Sequence, residues 1–494
     1  MAYEQYHLRA LAKLKCPELL ISEAFIDGQW VKKEKTFDVI EPSSEAVLGR
    51  VSNADLSDFK KAIGSAAIAQ EDFVRSTTAA QRGSQLRTWY DLIIANQEDI
   101  ALILSLENGK TYAEAVGEVI YAASFVAWFA EEAPRAYGDT IPSSTPNTSV
   151  FTYKEPVGLC AIITPWNFPA AMITRKVAPA FAAGCAVVVK PPSETPFTCA
   201  ALAKLAVQAG IPPKIIQVVP TKDRAAATEL CTNPLVKKIS FTGSTGVGKM
   251  LAKLATGTLK KMSLELGGNA PFIVFDDADL DIAVESAMIC KYRCSGQTCV
   301  CANRFLVQKL VAAAFADKLV VAVSSLKLGP GIETGTTQGP LVNKSSVDKV
   351  VEHVEDAVSR GAKVLIGGKT RSPGFFFEPT VLMDVPRDAL VSKDETFGPL
   401  APIFTFEDEE DAIQLANDTE FGLAGYFFSR NINRVMRVAA RLHVGMLGVN
   451  TGKISAAEAP FGGIKESGYG REGSMYGIAE YQNIKSVTIG NIDR

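Results

Sequence analysis

Short apolar runs alternate with amphipathic stretches along the chain from Gly158 onward. Each run ends in turn residues and is followed by helical periodicity, and the runs are GLCAIITP, CAVVVKP, IIQVVP, KKISFTG and then PFIVF. Strands that alternate with helices predict a parallel sheet that is covered by helices on both faces.

A second series of the same kind follows Cys299, through FLVQ, AKVLIGG, FFFEPTVL, PLAPIFTF, GLAGYFF and GMLGVN. We therefore predict an α/β fold with two doubly wound parallel-sheet domains that face each other. The stretch before residue 134 has a mostly helical pattern, clearest in EDIALILSLENGKTYAEAVGEVIYAASFVAWFAEEAP. We expect this stretch to pack on the first sheet.

Polar and special residues fall where the strands of the first series end, at positions 165–169, 190–194, 220–221 and 242–246. In a doubly wound sheet, ligands bind at the carboxyl edge of the strands. The sequence therefore predicts a ligand site along this edge.

The turn from Gly243 to Met250 nearly matches a phosphate-binding P-loop, but Met250 stands where the magnesium-binding Ser or Thr belongs. A nucleoside triphosphatase is therefore not expected. The turn also does not match GxGxxG, the usual fingerprint of dinucleotide binding. The backbone N–H groups of such a turn still favour an anion such as a cofactor diphosphate. A purely structural turn is the alternative for this segment alone.

The composition of the chain limits which binding partners and which location are expected. With 21% charged residues and a net charge of −3 over 494 residues, the chain has the profile of an ordinary globular protein, so nucleic acid is not an expected partner. The longest apolar run, 177–189, is short and contains Pro179, and no membrane segment is predicted. The N-terminus lacks the features of a signal or transit peptide, and we expect a cytoplasmic protein.

The nine cysteines do not form the dense framework of a secreted scaffold, so we expect a reducing compartment. Four of them are crowded together, at positions 290, 294, 299 and 301. Their spacing differs from paired CxxC knuckles, and the three histidines are distant in sequence, so no metal site is predicted.

Six motifs occur in order: PWNFP at 165–169, FTGST at 241–245, LELGG at 264–268, GQTC at 296–299, ETFGP at 395–399 and PFGG at 460–463. With these motifs the chain resembles the aldehyde dehydrogenase superfamily over nearly its whole length. The resemblance implies an NAD(P)-binding domain at 1–133 and 155–266, a catalytic domain at 267–474, and a small oligomerisation β-subdomain from the bridging segments 134–154 and 475–494. A homodimer or homotetramer is then expected.

The chemistry of aldehyde oxidation agrees with this resemblance. A cysteine thiolate adds well to an aldehyde carbonyl and leaves well afterwards, and Cys299 is the candidate nucleophile. Asn167 offers a side-chain N–H to the oxyanion beside the Cys299 backbone N–H. Glu265 is the candidate general base for thioester hydrolysis. Taken singly, these residues would be an inert cysteine, a turn residue and a solvated carboxylate.

The resemblance also implies which residues contact the cofactor. Lys190 is a ribose contact by resemblance and a surface lysine otherwise, and three residues later NAD-preferring relatives carry Glu where this chain has Ser193. Loss of that carboxylate removes repulsion of a 2′-phosphate, although Glu194 could still oppose it, and we expect NADP preference or dual use of NADP and NAD. The other expected cofactor contacts are Pro165, Trp166, Thr242, Gly243, Ser244, Gly268, Glu395 and Phe397.

The blocks NFPAAMITRK, TCVCANRFLVQ and NTGKISAAEAPFGGIKESGYGREGS resemble succinate-semialdehyde dehydrogenases in particular. That resemblance makes Arg175, Arg293 and Ser455 the ligands of the substrate carboxylate. Guanidinium groups recognise a carboxylate well, so oxidation of succinate semialdehyde to succinate, a step of 4-aminobutyrate degradation, is the expected reaction. Either arginine alone would more often be a surface or packing residue.

Three alternatives stay open. Glutarate semialdehyde is one methylene longer, and a pocket rejects a methylene only weakly. An enzyme that hands the thioester to coenzyme A would not need a water-activating carboxylate, and Glu265 speaks against it. A non-enzymatic binding or structural protein with this fold is the third.

Two further cysteines raise questions. Relatives carry Asn five residues before the nucleophile, where this chain has Cys294, so amide hydrogen bonds that support the nucleophile loop are missing or replaced. Cys301 lies two residues after Cys299, and a reversible disulfide between them is a predicted redox switch, with a small buried residue as the alternative.

Overall fold

A computed structural model describes residues 6–491 of the chain. The strands are β1 (Ala24–Ile26), β2 (Gln29–Val31), β3 (Thr36–Ile40), β4 (Val47–Ser52), β5 (Thr140–Ile141), β6 (Ser149–Pro156), β7 (Cys160–Ile163), β8 (Val187–Lys190), β9 (Ile216–Val218), β10 (Lys238–Thr242), β11 (Lys261–Glu265), β12 (Ala270–Val274), β13 (Ala302–Gln308), β14 (Lys363–Ile366), β15 (Thr370–Arg371), β16 (Phe376–Phe377), β17 (Thr380–Met383), β18 (Leu400–Phe406), β19 (Phe421–Gly422), β20 (Ala424–Phe428), β21 (Met446–Val449), β22 (Ile464–Lys465), β23 (Gly468–Tyr469) and β24 (Gln482–Ile489).

The helices are α1 (Tyr6–Leu11), α2 (Leu56–Ser76), α3 (Ala79–Ala95), α4 (Gln97–Asn108), α5 (Tyr112–Glu132), α6 (Ala171–Ala183), α7 (Pro196–Gln208), α8 (Arg224–Ala227), α9 (Glu229–Thr232), α10 (Thr245–Ala255), α11 (Leu280–Ala287), α12 (Ala312–Ser324), α13 (Lys344–Ser359), α14 (Leu390–Lys393), α15 (Glu409–Asn417), α16 (Ile432–Arg441) and α17 (Ser474–Ala479).

The first large sheet has the strand order β2-β1-β9-β8-β7-β10-β11-β23. Its five central strands are parallel, and antiparallel strands close both edges. The apolar runs of β7 to β10 are buried almost throughout, as expected for strands covered on both faces.

The second large sheet has the order β14-β17-β18-β13-β12-β20-β21 and is parallel except for its edge strand β14. The predicted fold class of two doubly wound α/β units is therefore confirmed. PFIVF, which closes the first sequence series, lies in this second sheet as β12. The first sheet instead gains β11, a strand that the pattern of apolar runs did not reveal, and Glu265 is its last residue.

The expectation of a mostly helical N-terminal stretch is only partly correct. Helices α2 to α5 are present, and α2 contacts the first sheet at β8 and β9, but β1 to β4 precede them. β1 and β2 form a hairpin across Asp27 and Gly28, whose φ angles are 56° and 76°. A two-residue Asp-Gly turn with both φ angles positive is a strong hairpin signal, and the helical periodicity downstream outweighed it.

A small antiparallel sheet of order β24-β6-β5 joins the two segments predicted to bridge subunits. β24 pairs with β6 over its full length, from Gln482 opposite Pro156 to Ile489 opposite Ser149. Ile484 on this sheet is 73% exposed. The two segments are 320 residues apart in sequence, so only the folded chain brings them together.

Helix α5 is the central helix of the first unit. By length and composition the segment Tyr112–Arg135 resembles a membrane span, but it packs among α3, α4 and α6 and carries Glu114 and Glu118 on its first two turns. Thr111 and Glu114 form a reciprocal cap at its start. An apolar helix packed on several sides is the expected core element of a protein of this size.

A buried ion pair connects α5 to the loop after β7. The side chains of Lys110 and Glu118 are 1% and 0% exposed, and the Lys110 ammonium donates to both Glu118 and the backbone carbonyl of Asn167, the latter at 2.8 Å. Glu118 also accepts the N–H of Ala170 at 2.8 Å. The pair therefore fixes both the loop after β7 and the start of α6.

We expect Glu118→Gln to destabilise the protein by about 3–5 kcal/mol, because it leaves the Lys110 ammonium buried without a counter-charge. The midpoint of urea unfolding measures this loss. Glu131→Gln is the matched control on the same helix, since Glu131 pairs with Arg87 at the surface and its loss should change little. Equal midpoints for the two variants would contradict the structural role assigned to the buried pair.

Candidate active site

Cys299 lies in the turn between the irregular helical segment that ends at Gly296 and strand β13. It lines a cavity of about 150 Å³, here called the inner cavity, whose walls include Tyr121, Phe168, Arg175, Arg293, Ser455 and Phe461. Burial raises the pKa of the Cys299 thiol to about 12, against a smaller lowering by the charge of Arg175. The thiol is therefore the resting form of this group at neutral pH.

The turn before Cys299 has an unusual backbone. Cys294, Ser295 and Gly296 have φ angles of 53°, 53° and 74°, three successive residues in the left-handed region. A β-carbon at Gly296 would overlap the backbone carbonyl of Gly398, so only glycine fits there. Strained conformations of this kind persist only where the surroundings fix them.

Several hydrogen bonds hold this turn. The Ser295 hydroxyl donates to the carbonyl of Gly339 at 2.7 Å, and Gln297 accepts the N–H of Val342 at 2.9 Å. The Cys294 N–H donates to Glu114 at 2.7 Å, and its thiol lies 3.7 Å from the carbonyl oxygen of Asn167. Only the thiol contact depends on the side chain at position 294, because any residue there would supply the same N–H to Glu114.

Asn167 is buried in the loop after β7, next to the nucleophile turn. Its side-chain amide donates to the carbonyl of Gln297 at 3.0 Å, and its Oδ1 has no partner within residues 6–491. One N–H of the amide is therefore used to orient the group. The second N–H is free to donate to an oxyanion.

Glu265 ends β11 and is 2% exposed. Neither carboxylate oxygen has a hydrogen-bond partner in the described part of the chain. Burial raises the pKa of Glu265 well above its usual value, and the nearby carboxylate of Glu472 raises it further. A carboxylate in this state accepts a proton more readily than an exposed one, as a general base must.

The three residues predicted to bind the substrate carboxylate all line the inner cavity. Arg175 is buried in α6, forms an ion pair with Glu472 and lies over the ring of Phe461 at 4.1 Å. Its Nη2 has no partner within residues 6–491. Arg293 lies over the ring of Phe168 at 5.4 Å, and the hydroxyl of Ser455 shares a hydrogen bond with that of Tyr121.

Three residues of the site were not predicted from the sequence: Tyr121, Lys176 and Glu472. Tyr121 lines the inner cavity from α5, and Glu472 forms ion pairs with both Lys176 and the predicted Arg175. None of the three belongs to a short motif, and each acts through contacts between segments far apart in the chain. For Glu472 and Lys176 the sequence did carry a signal, because they lie in GREGS and NFPAAMITRK, two of the stretches on which the resemblance rests.

The turn after β10 fits an anion. Ser244 stands at the N-cap of α10 without a side-chain cap, so the first N–H groups of this eleven-residue helix remain available. The Thr242 hydroxyl is buried without a partner in the described residues, and a β-carbon at Gly243 would overlap the ring of Phe241. The diphosphate of a dinucleotide fits this arrangement.

The other expected cofactor residues lie nearby. Lys190 ends β8, where burial lowers its pKa, and the Ser193 hydroxyl donates to Glu194 at 3.1 Å. The N–H of Gly268 donates to Glu395 at 2.9 Å, and burial raises the pKa of Glu395 to about 8.

The loop with Pro165 and Trp166 faces the ETFGP segment. The Trp166 ring meets that of Phe397 edge-on, with the ring centres 6.0 Å apart. The loop after β7 and the ETFGP segment are therefore in contact through these two rings.

Cys301 is buried, and its thiol lies 3.3 Å from the carbonyl oxygen of Gly296. The disulfide between Cys299 and Cys301 stays a prediction. Among residues 6–491, no three His, Cys, Asp or Glu side chains are grouped as a metal site requires.

Alkylation of Cys299 in the cofactor-free protein should reflect its raised pKa. We expect the rate of inactivation by iodoacetamide to rise about tenfold per pH unit from pH 7 to 9 without a plateau, because only the thiolate reacts. Mass spectrometry of the peptide that contains Cys299 identifies the site, and Cys299→Ala is the control. A plateau below pH 8 would contradict the raised pKa.

Comparison with known proteins places this site in a family. The model described as "Aldehyde dehydrogenase family" matches residues 30–487. Glutarate-semialdehyde dehydrogenase of Pseudomonas aeruginosa is 54% identical over 483 residues, which cover 97% of this chain and 100% of the relative. Succinate-semialdehyde dehydrogenase [NADP(+)] of Escherichia coli is 52% identical over 481 residues, which cover 97% of this chain and 100% of the relative.

Among solved structures, a succinate-semialdehyde dehydrogenase from Burkholderia pseudomallei matches with a TM-score of 0.96 and 54% identity, over 97% of this chain and 100% of that one. The matched region includes Cys299, Glu265 and both large sheets, and the chain therefore belongs to the aldehyde dehydrogenase family.

Proposed function

We propose that this enzyme oxidises succinate semialdehyde to succinate with NAD(P)+, through an acyl group on Cys299. The observation that carries the proposal is the inner cavity, which joins the Cys299 thiol to Arg175, Arg293 and Ser455. No Asp or Glu side chain is among its described lining residues. An aldehyde with a carboxylate at its other end fits a pocket with a nucleophile at one side and guanidinium groups at the other.

In the first step, the Cys299 sulfur adds to the aldehyde carbon. A C–S bond forms as the carbonyl π bond opens to an alkoxide, and the free N–H of Asn167 with the Cys299 backbone N–H would stabilise this charge. Burial disfavours the Cys299 thiolate, and the positive charge of Arg175 partly offsets this effect.

The dinucleotide, when bound, supplies the acceptor for the hydride that leaves the substrate carbon. The residues that would hold it are Thr242, Gly243 and Ser244 at the diphosphate, Lys190 and Ser193 at one ribose, and Glu395 with Phe397 at the nicotinamide end. Hydrolysis of the Cys299 thioester then needs a base. Glu265 would take a proton from water as the water attacks the thioester carbon, and breakage of the C–S bond returns the thiolate.

Glutarate semialdehyde is the second candidate substrate. The relative from Pseudomonas aeruginosa carries this name at 54% identity, and the E. coli relative is named for the four-carbon substrate at 52%. The two identities do not separate the substrates. A transfer of the acyl group to coenzyme A is disfavoured because Glu265 is placed to activate water.

We also propose NADP preference or dual cofactor use. Ser193 stands where a carboxylate would repel a 2′-phosphate, and the E. coli relative is named for NADP(+). The hydroxyl of Ser193 engages Glu194, which draws that carboxylate toward residue 193.

A dimer or tetramer in the cytoplasm completes the proposal. The small sheet of β5, β6 and β24 exposes Ile141, Tyr153, Ile484 and Ile489, apolar side chains that suit a subunit contact. All nine cysteines are free, as a reducing compartment requires.

Arg293→Ala should raise the Michaelis constant for succinate semialdehyde at least about tenfold, since a charge-assisted contact to the carboxylate is lost, and should spare butanal. Arg175→Ala should act on the same substrate but also remove one of the two cations that pair with the buried Glu472, so Arg293 is the cleaner test. Steady-state kinetics with both aldehydes measure the difference. Equal losses on the charged and uncharged aldehydes would refute the assignment.

Ser193→Glu should lower kcat/KM with NADP+ at least about tenfold while keeping turnover with NAD+, because the new carboxylate repels the 2′-phosphate. Ser193→Ala is the matched control and should retain NADP+ use. The ratio of kcat/KM for the two cofactors is the readout. A native enzyme that favours NAD+ by tenfold or more would contradict the cofactor proposal.

A further inference from the structure

A second cavity, of about 420 Å³, lies beside the inner cavity and is here called the outer cavity. The two share four lining residues, Arg293, Thr298, Val300 and Ser455. The two cavities therefore adjoin at these residues, and the Arg293 side chain lines both of them.

Lys453 adds a second cation to the outer cavity. Its side chain is exposed and forms no ion pair or hydrogen bond with residues 6–491, and the same holds for the Arg293 guanidinium, which only faces the Phe168 ring. No Asp or Glu side chain lines either cavity within the described chain. Two uncompensated positive charges thus face one chamber.

Arg175, by contrast, already has a counter-charge, because it forms an ion pair with Glu472, a carboxylate that it shares with Lys176. A substrate carboxylate in the inner cavity gains hydrogen bonds from a guanidinium whose charge is partly offset. Of the two charges without counter-ions, Arg293 lines both cavities, and Lys453 lines only the outer cavity, whose lining does not include Cys299. An anion attached to a longer chain reaches the region of stronger positive potential.

The backbone at Lys453 is held in place. Its N–H donates to the Thr451 hydroxyl at 3.1 Å. Gly452 packs so tightly on α11 that a β-carbon would lie 2.5 Å from the carbonyl oxygen of Ser286. Only the side chain of Lys453 is free to adjust, which suits a residue that meets anions of different reach.

We propose that the outer cavity is a second anion subsite, in which Lys453 and Arg293 bind the carboxylate of aldehydes longer than the four-carbon semialdehyde. The subsite rests on the proposed function, because it presupposes that the aldehyde end of the ligand reaches Cys299. The ligand class is a straight-chain aldehyde of five or more carbons with a terminal carboxylate. The length of the aldehyde then decides whether its carboxylate binds in the inner cavity or in the outer cavity.

The test compares Lys453→Gln with the native enzyme on succinate semialdehyde, glutarate semialdehyde and pentanal. We expect kcat/KM for the five-carbon semialdehyde to fall about two- to fivefold, the scale of one partly exposed charge contact, through a higher KM at constant kcat. The four-carbon semialdehyde should lose less, and the uncharged pentanal should be unaffected. Lys453→Glu should enlarge the loss on glutarate semialdehyde.

Lys369→Gln is the matched control, since Lys369 is also exposed and without an ion pair but lies outside both cavities. The subsite is overturned if Lys453→Gln changes none of the three substrates, changes pentanal as much as glutarate semialdehyde, or affects the four-carbon semialdehyde as much as the five-carbon one. Failure of the proposed function looks different: the native enzyme itself would then show no preference for either semialdehyde over pentanal.

Discussion

The buried ion pair between Lys110 and Glu118 is the contact on which the site depends most. From one position it holds the carbonyl of Asn167 and the first N–H groups of α6, the helix that carries Arg175. One turn earlier on α5, Glu114 accepts the N–H of Cys294 in the nucleophile turn. The candidate oxyanion donor Asn167, the helix that carries Arg175 and the turn before Cys299 are therefore all held by contacts with α5 and the neighbouring Lys110.

Burial is the common cause behind the electrostatics of this site. It raises the pKa of the Cys299 thiol, of Glu265 and of Glu395, so each group is held in its neutral form more than it would be in water. Arg175 counteracts this effect at the thiol, while Glu472 limits how much positive charge Arg175 contributes. The candidate nucleophile Cys299 and the candidate base Glu265 are thus both shifted toward their protonated forms.

The sequence predicted the parts of this protein that are local in the chain. Alternating apolar runs indicated both sheets, and contiguous motifs indicated Cys299, Glu265 and Asn167 as the candidate catalytic residues, whose roles stay predictions. The pattern of apolar residues did not reveal β11, because five residues are too few for an alternation of apolar and polar positions to be recognised. It also did not reveal the hairpin of β1 and β2.

Contacts between distant segments were also beyond the sequence. Tyr121 and Glu472 carry no motif, and their roles arise only when α5 and the segment around residue 472 pack beside α6. The domain bounds, the subunit contact and the disulfide at Cys301 stay predictions.

The left-handed turn at Cys294, Ser295 and Gly296 has a consequence for how the enzyme matures. The turn is strained by itself and is held by partners at Gly339, Val342 and Gly398, which follow it by some 40 to 100 residues in sequence. A nascent chain that has emerged only as far as Cys299 lacks these partners. The turn before Cys299 thus has all of these partners only after the chain has been made as far as Gly398, so the sulfur acquires this geometry late in translation.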